Sequence, residues 1–243
     1  MGLACSKPDP IPSEITGEAP STPTSQAAPG VLAGEILFEG SQIPLSTVVE
    51  NTTDPEDCGE TQSLGNIVIS PDGQGIKNVI VTLHGVPLPE DYQPEPSPLA
   101  LDNRNCQFEP HVSVLTTGSR IDATNSDPIF HSVHLYGFLN RNLALGPGQS
   151  KTIRTVSRPG YYIIKCDVHG WMQAYFRVDD HPFHAVSQVD GKFRIENIPE
   201  GSYVLEAWHE HFGKQEIEVN IAHNTPTRVT LHFGDPSPRK GGT

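Results

Sequence analysis

Nowhere in this chain do apolar residues recur at helical spacing over a long stretch. Short alternating runs are instead broken again and again by Asn, Asp, Gly and Pro, with 22 Gly and 23 Pro in all. Alternation at period two puts every other side chain on one face of a strand, and the breakers supply the turns. The 243 residues therefore read as an all-β protein with room for one large or two small domains. Strands are expected at 34–38, 66–70, 77–84, 108–114, 120–125, from His131 onward, and at 150–156, 160–165, 173–178, 215–221 and 227–233. Residues 54–59 show neither strand nor helix character, and the Pro-rich stretch 85–102 reads as a surface excursion. Residues 1–30 are too polar to bury a core and read as a disordered tether.

One stretch organises the rest. In 160–172, GYYIIKCDVHGWM, a strand enters a core and ends at Cys166, after which His169 and Met172 follow at intervals of three. A thiolate, an imidazole and a thioether are thus delivered by one short loop. Joined by a second imidazole, these donors suit an ion cycling between Cu(I) and Cu(II), with the thioether as a weak axial ligand. Zinc has little use for the thioether. The second imidazole is expected from His131, at the head of a strand that follows the turn 125–128. His134 lies three residues further on, so on a strand it points to the opposite face and cannot also meet Cys166. A cysteine at a strand end is by itself often a small buried hydrophobe. Four donors in order outweigh that reading.

Residues 108–178 resemble the cupredoxins, the blue-copper electron-transfer proteins, with a pattern nearest to the amicyanins. The resemblance rests on Phe130-His131-Ser132-Val133-His134 for the first histidine and on the Cys166-x-x-His169-x-x-Met172 loop. It implies a Greek-key β-sandwich with one mononuclear copper centre. Its equatorial ligands would be His131, Cys166 and His169, its axial ligand Met172, and its electron exit the exposed edge of His169. Where that family commonly has Asn bracing the cysteine loop this chain has Ser132, and where it often has Pro after the second histidine this chain has Gly170. Residues 184–233 resemble a second, smaller sandwich, the transthyretin-like domain of the carboxypeptidase regulatory and Cna-B type. The features that carry this are the hairpin Val189-Asp190-Gly191 and the corner Pro199-Glu200-Gly201-Ser202-Tyr203. The expected organisation is a tether at 1–30, a cupredoxin-like domain with extension strands at 31–180, and the regulatory-like sandwich at 181–243.

The implied role is one-electron carriage by an exported monomer that is not an enzyme. A net charge of −13 argues against nucleic acid and anionic membranes as partners and suits a basic redox partner such as a cytochrome. A copper carrier or store, and a metal-free surface-binding module, are the competing classes. With Cys166 engaged and Cys5 in the tail, Cys58 and Cys106 are the pair expected to form a disulfide if the chain is exported, and two reduced thiols if it is cytosolic. Gly2-Leu3-Ala4-Cys5 is similar to the end of a bacterial lipoprotein signal, which would anchor the protein to a membrane through lipid on Cys5, in the periplasm or at the cell surface. His209 and His211 alternate and could begin a second metal site if they share a strand face. No third donor is tied to them by spacing.

Overall fold

The structure is a computed structural model that describes Met1, residues 29–64 and residues 67–234. The tether with Cys5 therefore lies outside the described residues. The chain opens with β1 (Gly30–Glu39), a hairpin of β2 (Thr47–Glu50) and β3 (Thr61–Leu64) enclosing a single helical turn α1 (Pro55–Cys58), and β4 (Ile80–His84). Its middle carries β5 (Leu99–Arg104), β6 (Gln107–Glu109), β7 (Val112–Thr116), β8 (Ser119–Asn125) and β9 (His131–Tyr136). These are followed by β10 (Arg141–Leu145), β11 (Ser150–Val156), β12 (Gly160–Lys165) and β13 (Gln173–Asp179). The last part is β14 (His184–Val186), β15 (Lys192–Ile198), β16 (Gly201–His209), β17 (Gly213–Ile221) and β18 (Thr227–Gly234).

These strands make an all-β protein, as the alternating pattern led us to expect, and they form two sandwiches, as the two resemblances implied. One sandwich faces the sheet β10-β9-β12-β13-β7 against β11-β8-β5-β6. Its core is the inward row of each strand, including Phe108, Leu115, Ile121, Val133, Leu135, Ile164 and Phe176. Tyr162 and Phe176 stack across the β12–β13 pair at 5.0 Å. The other sandwich faces β15-β1-β18 against β14-β4-β16-β17, around Leu32, Ile36, Leu83, Phe193, Leu205 and Phe233. In its corner the Tyr203 hydroxyl donates to the Pro199 carbonyl at 3.0 Å.

The strand pairing differs from the expected division at 180/181. β1 lies antiparallel to β15 and parallel to β18, and β4 lies between β14 and β16, so both early strands belong to the C-terminal core. Their alternation fits either sandwich equally well, and only the long-range register decides which one they join. Two further differences are local. Leu99–Arg104 is a strand paired parallel to β8 rather than part of the surface excursion, with Leu99, Leu101 and Asn103 turned inward. Residues 54–59, expected to be irregular, contain α1. Of the strand expected at 66–70, the described residues show one bridge, between Ile69 and Ile76.

The two sandwiches are joined by a buried polar and aromatic contact. Arg177 on β13 donates to Asp179 at 2.7 Å and reaches across to Glu206 on β16 at 2.7 Å. The Tyr161 hydroxyl also donates to Glu206, at 2.8 Å, and the Trp208 ring lies 4.9 Å from Tyr161 and 5.4 Å from Tyr175. Asp179 completes the set with Thr82 and His184. Burial alone would raise its carboxyl, but the His184 hydrogen bond and the Arg177 guanidinium outweigh that and hold it at about 2, against an ordinary 3.8. A folded pKa below the unfolded one stabilises the fold above pH ~4, and that stabilisation disappears as pH falls through 2. The expected loss between pH 5 and pH 2 is about 2 kcal/mol from this group. Denaturant midpoints measured across that window should show a flatter decline in Asp179→Asn than in the unaltered protein; parallel curves would contradict the assignment.

Candidate metal centre

The antiparallel register of β9 and β12 brings the four predicted donors to one end of the first sandwich. Lys165 pairs with His134, so the head of β9 lies beside the tail of β12, where Cys166 follows. The chain then turns back into β13 through a closed loop, with the Met172 amide donating to the His169 carbonyl at 2.9 Å and the Cys166 amide to the Met172 carbonyl at 3.2 Å. Ser132 braces this loop. Its hydroxyl accepts the Asp167 amide at 2.7 Å, and its own amide points at Cys166 Sγ from 3.4 Å. The shorter Ser thus fills the place where the resemblance led us to look for Asn.

Three donors converge. His131 Nδ1 and His169 Nδ1 are 3.0 Å apart, and Cys166 Sγ lies 3.7 Å from His169 Nδ1 and 4.0 Å from His131 Nδ1. All three residues are buried, and Met172, at the far end of the same loop, is 0% exposed. Ligands at about 2.0–2.3 Å around one ion stand roughly 3.3–3.8 Å from each other, so the spacing fits a single metal with little adjustment. The opposite edge of each ring is engaged by a carboxylate, His131 Nε2 by Asp127 at 2.9 Å and His169 Nε2 by Asp54 at 3.1 Å. An imidazole that donates from Nε2 keeps its Nδ1 lone pair free, and both Nδ1 atoms here face the thiol. Burial, and then the neighbouring His169, push the His131 imidazole below its ordinary value, which favours the neutral form that a metal needs.

Other histidines are separated from this cluster. His134 points outward as expected, bonded to Asp167 at 3.0 Å and to Asn140 at 2.9 Å. His209 and His211 do not share a face, because β16 ends at His209 and a turn intervenes. His209 is buried and His211 exposed. Burial pushes the His209 imidazole down to about 4, and its Nδ1 accepts only the His211 amide. Among the described residues neither belongs to a cluster of three donors, in contrast to His131, Cys166 and His169.

The position of His169 corrects one expectation outright. Its ring is 0% exposed, and the edge expected to reach the surface is engaged by Asp54. Sequence reading missed both carboxylates. Asp54 lies 115 residues from its partner and carries no spacing signal. Asp127 stands four residues before His131, in a turn, where an acidic residue is unremarked. The expected disulfide is present between Cys58 and Cys106, and Cys166 is the free cysteine among the described residues. The Trp171 indole donates to the Cys106 carbonyl at 3.0 Å and lies 5.1 Å from His169, which walls the centre with an aromatic ring.

A buried cluster of one thiol and two imidazoles at the end of a β-sandwich is a donor set that could hold a single soft metal ion. A family model described as ER membrane protein complex subunit 7, β-sandwich domain, matches residues 166–234, from Cys166 through β18. A search of curated proteins gives no match. Among solved structures, the chain is similar to a Cu-containing nitrite reductase from Thermus scotoductus SA-01, at 21% identity over 40% of this chain and 25% of that one, with a TM-score of 0.33. It is also similar to a purple cupredoxin from Nitrosopumilus maritimus, at 17% identity over 33% of this chain and 99% of that one, with a TM-score of 0.29. Amicyanin from Paracoccus versutus aligns at 14% identity over 41% of this chain and 97% of that one, with a TM-score of 0.31. The chain spans a quarter of the reductase. The metal reading rests on His131, Cys166 and His169 themselves.

Proposed function

We propose that the protein is an exported one-electron carrier with a single copper ion held by His131, Cys166 and His169, and by Met172 as the weak fourth ligand. The observation that carries this is the convergence of one thiol and two inward-facing imidazole nitrogens within 4.0 Å in a buried cluster. Bound copper would supply one-electron exchange between Cu(I) and Cu(II). The chain's own residues do the rest. Strand pairing fixes the head of β9 and the tail of β12, the backbone bonds of the 166–172 loop fix His169 and Met172, and Trp171 with the core behind it excludes water. Donors fixed in this way change little between the two charge states, which suits rapid electron exchange.

Since the His169 edge is covered, partner approach is proposed at Phe130 and Val168, the exposed neighbours of His131 and His169. A basic redox protein such as a cytochrome fits the net charge of −13, and its docking should weaken as salt rises. The disulfide supports an extracytoplasmic location, periplasmic or at the cell surface. No helix among the described residues is long and apolar enough to cross a membrane, so lipid on Cys5 is the anchor we propose. We read the chain as a monomer and as a carrier rather than an enzyme.

The test is stopped-flow mixing of copper-loaded, reduced protein with an oxidised cytochrome, followed by metal analysis. Electron transfer with copper retained is the expected result. Copper passing to a chelator faster than the electron passes to the cytochrome would move the assignment to a copper carrier or store. The family match over 166–234 favours a second reading, a metal-free surface-binding module, which requires that loss of all four donors leave binding of the protein's partner unchanged.

A further inference from the structure

The two imidazole partners hang from the same covalent bridge. Asp127 is held in place by the amides of Asn105 at 2.7 Å and Cys106 at 2.9 Å. Asp54 precedes α1, where its carbonyl accepts the Cys58 amide at 2.9 Å. Cys58 and Cys106 are the disulfide pair, so one bond joins the segment that places Asp54 on His169 to the segment that places Asp127 on His131. The β2–β3 hairpin that contains α1 pairs only with itself and belongs to neither sandwich sheet. It is a strap laid over the end of the first sandwich. Asp54 adopts a positive φ of 52°, uncommon for a residue with a side chain, within a segment where Asn51 bonds the Thr53 amide at 2.8 Å and the Gly59 carbonyl at 2.7 Å.

We propose that Asp54, delivered by the disulfide-anchored strap 47–64, is a positioning residue of the metal centre. It holds His169 with the proton on Nε2, so that Nδ1 faces Cys166 and His131, and it closes the outer edge of the ring. This rests on the copper reading above and adds to it a reason for metal retention. A carboxylate on the far nitrogen raises the basicity of the ligating one, and loss of such a partner typically weakens metal binding about 10- to 100-fold. The negative charge favours the more highly charged ion, so Cu(II) should lose more than Cu(I) when it is removed. Asp54 is 40% exposed, so its replacement leaves no hole in the core.

The experiment compares the unaltered protein with Asp54→Asn, Asp54→Ala and Asp54→Glu. Cu(I) and Cu(II) affinities are measured by chelator competition, the reduction potential by voltammetry, and the His169 ring proton by nitrogen-15 NMR of metal-free protein. For Asn and Ala we expect Cu(II) binding about 10- to 100-fold weaker, with a smaller loss for Cu(I). A tenfold differential raises the potential by about 59 mV. Asp54→Glu should recover part of both effects. The ring of the unaltered protein should carry its proton on Nε2 and become a mixture of the two forms in Asp54→Ala. Unchanged affinity and potential in a copper-binding Asp54→Ala protein would overturn the proposal and leave the copper reading standing. If the unaltered protein binds no copper, the copper reading falls, and the NMR comparison decides the positioning role alone.

Discussion

In protein treated with Cu(II), Cys166→Ala is expected to abolish the intense absorption toward the red end of the visible range that the unaltered protein should show. That band requires a thiolate bound to the copper, and Cys166 is the free cysteine among the described residues. It is buried within 4.0 Å of both imidazoles, and the other two cysteines among the described residues, Cys58 and Cys106, are joined to each other. His131→Ala should weaken or displace the band by removing one of the two strong nitrogen donors. His134→Ala should leave it intact, because that ring points outward to Asp167 and Asn140. Absorption spectra of the four proteins at equal copper loading make the comparison. A band that survives in Cys166→Ala would end the blue-copper assignment.

Removing the bridge should carry the largest cost in stability. Cys58 and Cys106 are separated by 48 positions, and the chain-entropy treatment values closure of a loop of that length at about 4 kcal/mol. Against a typical total of about 5–15 kcal/mol, that is a large fraction of what holds the fold together. The double variant Cys58→Ser, Cys106→Ser should therefore unfold at a markedly lower denaturant concentration. It should also hold metal less tightly, because the strap and its Asp54 lose their anchor. An unchanged unfolding midpoint would show that the strap stays docked through its own contacts.

The meeting of His131, Cys166 and His169 was legible because its signals are local. The interval of three between Cys166, His169 and Met172, the strand before it and the turn before His131 are all written in short stretches. The registry of β9 against β12 then had only one way to bring them together. The disulfide followed from what the other two cysteines were doing. Strand membership was not legible in the same way. The residues of β1 and β4 alternate as any half-buried strand does, and nothing within ten residues of Leu32 or Leu83 states that they pack against Phe193 and Leu205. Leu99–Arg104 was obscured by the Pro-rich run before it. Asp54 was invisible for the opposite reason, since its role comes from a single backbone conformation and a partner far along the chain. That contact buried His169, whose exposure had been inferred from a resemblance in the loop alone.

The pairing of β1 with β18 has a consequence for the order in which the molecule can be assembled. The sandwich of β5 to β13 is threaded between the early and late strands of its neighbour, so it has all its strands once Asp179 has been made. The neighbour must wait, with the edges of β1 and β4 unpaired, until β14 to β18 follow. Unpaired strand edges invite the wrong partner, which makes this interval the vulnerable one in the life of the chain. Once closed, the host grips its guest by two chain crossings in place of one linker. The enclosed sandwich is then clamped at both ends and cannot swing freely as a bead on a single string would.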